Sequence, residues 1–434
     1  MPSANYRSLL RTPGAAAFFL PASFGRVGVA MTGLGIVWLV HSRTGTFATA
    51  GLVGGAFAVS EALAAPQLAR LVDRFGQTRV LPPALLGHAV AVAVLVSLVT
   101  AGACDALLVA GGALAGAGVP QLGAMSAARW AALLRPGRAV ELPTAFALES
   151  VSNAVGYLVG PASVSVLAAA GHALAGTVLA ASVSVTGGLV LAAQRGSAPA
   201  PVAGGAARTQ GNPSLFRGES LVPMGLLMGL NLAIGVFFGA MQVSVTAFVV
   251  AHGAPGAAAP VFAVSNCSGL LAGWLYGLRR WRAAPSVHLS AATGALLLGT
   301  LLLLTVDSPF GLGLVVVLTG ATVPPLLALF SVLTESVVHQ SVLTQGFSWL
   351  GSASAAGSAV AVALSGSAVD SLGPRGGFAV TAAAAAALTL QSLAGLCLLR
   401  TPQPTGGTPV TRRPGRRRPR RRSAADAGTP SRPR

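Results

Sequence analysis

The chain has 434 residues, of which 53% are hydrophobic and only 9% charged, with a mean hydropathy of +0.73; this is too apolar for a soluble protein of its size. The formal net charge is +18, and all 28 cations are arginine. Apolar runs of about twenty residues recur as far as Leu399, the length that crosses roughly 30 Å of hydrocarbon at about 1.5 Å per residue, and the alternating runs of about ten residues that mark a membrane barrel are absent.

Twelve spans are predicted in chain order, at residues 14–41, 46–69, 80–100, 106–134, 143–170, 172–193, 221–251, 257–279, 286–306, 309–338, 342–370 and 376–399. The first run is too long for a cleaved leader and carries Arg26 in its middle, so it is read as a spanning helix. An even count places both ends on one side. Arg7, Arg11, Arg70, Arg74, Arg79, Arg135, Arg138, Arg279 and Arg280 fall on that side, against Arg43 and Arg375 opposite, which predicts a multi-pass plasma-membrane protein with cytoplasmic termini. A Pro/Gly/Ala-rich segment at 194–220 separates two six-helix halves, 1–193 and 221–399. Val119-Pro120 recurs as Val323-Pro324, and Ala145 to Leu148 as Gly346 to Trp349, so a duplicated unit is expected. The basic tail, 400–434, is too polar and arginine-rich to fold alone. It suits anionic lipid, and it has no interleaved aromatics for nucleic acid.

Between the second and third spans, Asp73 is the single acid among Arg70, Arg74 and Arg79, and Gly76 permits an abrupt helix end. Here the sequence resembles the major facilitator superfamily, whose loop at this place has a leading glycine, then Asp-Arg-x-Gly and basic residues. Asp73, Arg74, Gly76 and Arg79 fit; Ala69 replaces the leading glycine and Gln77 a basic residue. The wider pattern is similar to a group of actinobacterial facilitators, on Arg129-Trp130, Glu149-Ser150 ahead of Gly160-Pro161, and Gly346 to Trp349. That group leads one to expect acids near 153 and 154, where this chain has Asn153 and Ala154. The resemblance implies an all-α fold of two pseudo-symmetric six-helix bundles about a central cavity. It further implies that Asp73 meets the start of the eleventh span, near Thr344 to Gly346, to hold one side shut.

The third, sixth, ninth and twelfth spans are almost purely apolar and can face lipid. The remaining spans carry the costly groups. A charge at the bilayer centre is disfavoured by about 2.5–3.5 kcal/mol on the mildest scale, so these groups must face protein or a wet cavity. Arg26, by its depth, is expected to pair with Glu61, either as a substrate or proton site or as a structural lock. Asn153, Tyr157, Asn231, Gln242 and Asn266 complete the candidate site. Arg129 and Glu149 form a second expected pair, near the interface. Glu335 and His339, four apart, share a helix face. Gly156 and Gly160, four apart before Pro161, read as a packing bend or a gate, and the Gly-Pro pair looks like that of superfamily exporters.

No cofactor or metal is expected, since Cys104, Cys267 and Cys397 have no ligand spacing. No Ser/His/Asp or phosphate-loop constellation suggests an enzyme. The leading expectation is a monomeric secondary transporter exporting a small organic compound with protons as the coupling ion. Two alternatives stay open: a carrier of a polar or anionic metabolite gripped by Arg26, and a non-transporting scaffold or sensor on the same fold.

Overall fold

The structure, a computed structural model, describes residues 6–45, 47–201, 221–254, 257–279, 281 and 284–398. The expected basic tail at 400–434 and most of the expected linker, 202–220, lie outside the described residues. A short helix α1 (Tyr6–Leu10) precedes α2 (Ala15–Thr44), α3 (Phe47–Phe75), α4 (Gln77–Thr100), α5 (Asp105–Ala117), α6 (Leu122–Arg138), α7 (Leu142–Ala169) and α8 (Ala173–Ala193). The second half comprises α9 (Leu221–Ala251), α10 (Ala258–Leu278), α11 (Pro285–Leu303), α12 (Pro309–Val337), α13 (Leu343–Leu372) and α14 (Pro374–Leu398). Twelve stretches are long and apolar enough to cross a membrane, with α5 and α6 together forming the fourth.

Two boundaries correct the sequence reading. The second span was expected to stop at 69, but α3 runs on to Phe75. Arg70, Asp73 and Arg74 therefore ride on a protruding helical end, and Gly76, with φ +92° and ψ 145°, turns the chain into α4. The fourth span was expected to be continuous, yet it breaks at Gly118–Gln121, where Pro120 has no backbone N–H to extend the helix. Its sequence echo, Val323-Pro324, causes no break: Pro324 and Pro325 lie inside α12, and Pro324 packs on Gly273 of α10.

Small residues let the helices approach closely within each half. A Cβ on Gly28 would lie 2.4 Å from the Ser184 nitrogen of α8, and one on Gly239 of α9 would lie 2.4 Å from the Ser358 carbonyl of α13, so only glycine allows these approaches. The apolar helices α4, α8, α11 and α14 contribute nothing to the cavity between the halves, as their composition required.

Candidate functional site

The halves meet at the end that carries α1, here called the α1 side. There Asp73 Oδ2 accepts a hydrogen bond from the Gln345 backbone N–H at 2.8 Å, at the first turn of α13. A helix start exposes unpaired N–H groups and the positive end of the dipole, so this carboxylate caps a helix of the opposite half. Arg74 lies over the Phe75 ring at 5.1 Å, and Arg79 is exposed. A second link joins the halves nearby: Arg135 Nε lies 2.6 Å from Glu335 Oε1, and its NH2 group donates to the Glu335 carbonyl at 2.9 Å. Glu335 thus faces Arg135 of the other half, and the His339 ring accepts from the Ser341 backbone N–H. Arg135 was missed by the sequence reading. The signal was available, because Arg135 and Glu335 close the fourth spans of the two halves, equivalent places in a duplicated chain.

The third link comes from α1. The Tyr6 hydroxyl donates toward the Trp274 carbonyl at 2.9 Å and the Gly273 carbonyl at 3.3 Å on α10, and burial pushes its pKa up to about 12. Gly277 leaves the room for that phenol, since a Cβ there would sit 2.0 Å from the Tyr6 oxygen.

Above these contacts lies a cavity of about 460 Å³ walled by both halves. Its charged residues are Arg26, Glu61 and Glu149. Arg26 is not paired with Glu61. Its NH1 group lies 2.6 Å from Glu149 Oε2, and NH2 donates to Ser152 Oγ at 2.8 Å. Glu149 in turn accepts from the buried Ser126 hydroxyl. Arg26 starts about 17 Å along α2 and Glu149 about 10 Å along α7 from the same side, by the rise per residue, and the long arginine stem spans the difference.

Glu61 occupies the midpoint of the 29-residue α3. It lines the cavity with no ion pair or hydrogen bond to any of the described residues. Asn153, Tyr157 and Asn231 also line the cavity, as does Gln121 at the break between α5 and α6. Two expected site residues do not: Gln242 is exposed on α9, and Asn266 donates to the Phe262 carbonyl of its own helix.

The expected Arg129–Glu149 pair is likewise absent. Arg129 is fully buried, its Nε donating to Gln77 Oε1 at 2.7 Å, NH2 to the Leu191 carbonyl at 3.0 Å, and NH1 to the Gln194 carbonyl and Ser197 Oγ at 2.8 Å each. It thus neutralises the carbonyl end of α8, a cation at the negative pole of a helix. Gly160 sits against α2, where a Cβ would lie 3.0 Å from the Val27 carbonyl, and Gly156 looks onto the Arg26 backbone. Pro161 follows inside α7, at this close contact with α2.

The fold has solved relatives. The human organic anion transporter MFSD10 (TETRAN) matches with a TM-score of 0.68 and 16% identity, over 90% of this chain and 100% of that one. A bacterial homologue of the iron transporter ferroportin, outward-facing, gives 0.69 and 12% over 88% and 99%. The E. coli fucose:proton symporter FucP, in its outward conformation, gives 0.64 and 14% over 87% and 97%. No curated protein sequence matches the chain significantly. At these identities the likeness shows the fold alone, but residues 18–342 also match the sequence profile of the Major Facilitator Superfamily. By that match, over most of its length, the chain belongs to the Major Facilitator Superfamily.

Proposed function

We propose that this protein is a secondary transporter that works by alternating access and exports a small organic compound in exchange for protons, with the α1 side facing the cytoplasm. The observation that carries the reading is Glu61, an unpartnered carboxylate at helix mid-depth in a cavity walled by both halves. A charged group at that depth costs about 2.5–3.5 kcal/mol or more, which favours taking a proton whenever the site is otherwise empty. Rocking the halves would then expose that proton to alternate sides. Arg26 is engaged by Glu149 and Ser152, which favours a proton site at Glu61 over an anion grip at Arg26. The arginines of the α1 side favour its cytoplasmic placement, and the basic tail would add about 1 kcal/mol per cation near anionic lipid.

The test is a panel of small organic compounds applied to proteoliposomes that contain a trapped pH indicator. Wild type is expected to couple compound flux to proton movement, and Glu61→Gln to abolish the coupling. Flux that ignores pH in wild type removes the exchange mechanism, and absence of flux across the panel supports the scaffold reading instead.

A further inference from the structure

We infer that the cavity selects organic compounds carrying a single positive charge, the cation and the proton competing for Glu61. This rests on the transporter reading and adds the substrate class to it. The charge balance of the cavity wall supports it. Of its three charged residues, Arg26 and Glu149 cancel across a contact of 2.6 Å, and each makes a further hydrogen bond with a neutral hydroxyl, Ser152 on the guanidinium and Ser126 on the carboxylate. What is left is one carboxylate with no ion-pair or hydrogen-bond partner among the described residues, so an empty, ionised site holds a net charge of −1. A buried carboxylate is relieved by a proton or by a cation. An anion would meet repulsion from Glu61 and an arginine whose charge Glu149 already neutralises.

The opposite wall indicates what the cation is attached to. Phe330 and Leu327 of α12 and Phe347 and Leu350 of α13 face the cavity from the second half. These offer apolar surface to an organic body, and aromatic faces attract organic ammonium groups. A hydrated metal ion finds no such match: magnesium and calcium want six or more oxygen ligands, and no group of three His, Cys, Asp or Glu side chains gathers anywhere among the described residues. The titratable and charged groups that face the cavity with Glu61 are Arg26 on α2 and Glu149 and Tyr157 on α7; the linings from α9, α12 and α13 bring none.

The experiment uses the purified full-length chain and three probes on one skeleton: phenylbutyltrimethylammonium, phenylbutanol and phenylbutyrate. Calorimetric titration is expected to give the cation at least ~10-fold tighter binding than the other two above the titration of Glu61, and a loss of ~10-fold per pH unit below it, as linkage to one proton requires. Phenylbutanol binding should not change with pH. Glu61→Gln should erase both the preference and the pH slope, while the wild-type ranking and slope stand even if that variant folds poorly. Equal or tighter binding of phenylbutanol or phenylbutyrate overturns the inference, as does no binding of any probe, or a cation preference that survives in folded Glu61→Gln. Flux of the same probes in proteoliposomes separates the two claims. Cation-selective binding without flux sinks the transporter reading alone, and preferred flux of the neutral or anionic probe sinks the charge class alone.

Discussion

Removing Asp73 should release the α1 side. The carboxylate makes one charge-assisted hydrogen bond, at 2.8 Å to the Gln345 N–H, and faces the Thr344 hydroxyl and amide in the same turn. A hydrogen bond to a charged group is worth about 1.5–3 kcal/mol net, and a charge at a helix start about 0.3–1 kcal/mol; these describe the same interaction and are not summed. At 1.4 kcal/mol per factor of ten, Asp73→Ala should lower the closed-to-open ratio on this side by roughly 10- to 150-fold. Asp73→Asn keeps an acceptor oxygen and loses only the charge, about half the interaction, so a smaller shift of roughly 3- to 10-fold is expected. Spin labels at Arg79 and Ser336, both exposed near the ends of the two halves, would report the populations by electron–electron double resonance in a background without Cys104, Cys267 and Cys397. Wild-type, Asn and Ala forms should show a graded growth of the long-distance population. Identical distributions for all three would refute a holding role for this contact.

Two further outcomes test the buried arginines. Arg129→Met should strip partners from Gln77 and from the Leu191 and Gln194 carbonyls; a loss of about 1–3 kcal/mol for each buried acceptor left unpaired, seen as a lower unfolding temperature in detergent, is expected with transport per folded molecule unchanged, and a stable but inactive variant would instead make Arg129 part of the gate. Arg26→Met or Glu149→Leu alone should each cost about 3–5 kcal/mol by leaving a buried charge unpaired, whereas the double change should recover folding and keep cation binding at Glu61; a folded double variant that binds no cation would move the site onto the pair.

The number of spans was legible because hydrocarbon thickness imposes it on every helix alike, and the absence of α4, α8, α11 and α14 from the cavity wall agrees with their apolar composition. Helix ends were less so. Arg70, Asp73 and Arg74 looked like a loop because charges leave hydrocarbon, but at headgroup depth a helix tolerates them, and only Gly76 ends it. Partner choice was the least legible. Position along a span gives depth, yet a contact also needs the direction a side chain takes around its helix, and that depends on how helices are rotated against each other. Arg26 and Glu61 have compatible depths and do not pair; Arg26 and Glu149 differ more and do. Arg129 escaped for another reason: two of its four acceptors are backbone carbonyls at the end of α8, which no residue type announces.

The two six-helix halves differ at the contacts that close the α1 side. In the first half, the acid in the last turn of α3 accepts from the start of α13; in the second half, the corresponding place in the last turn of α10 is Gly277, and it is filled from outside the twelve spans by Tyr6. The two latches differ in kind. One is a charge on a helix start, worth about 1.5–3 kcal/mol, and the other a neutral phenol donating to carbonyls near a helix end, worth about 0.5–1.5 kcal/mol. A side chain could not replace the phenol in place, because a Cβ on Gly277 would also come within 2.7 Å of Ala147 Cβ on α7. The closeness of α7 to α10 therefore requires the glycine, and the glycine leaves those carbonyls to a donor outside the twelve spans. Under the proposed alternating access, opening the α1 side would draw α10 away from α7 and so break the Tyr6 bonds or carry α1 along. Closure thus depends on a segment ahead of the first span as well as on the two bundles.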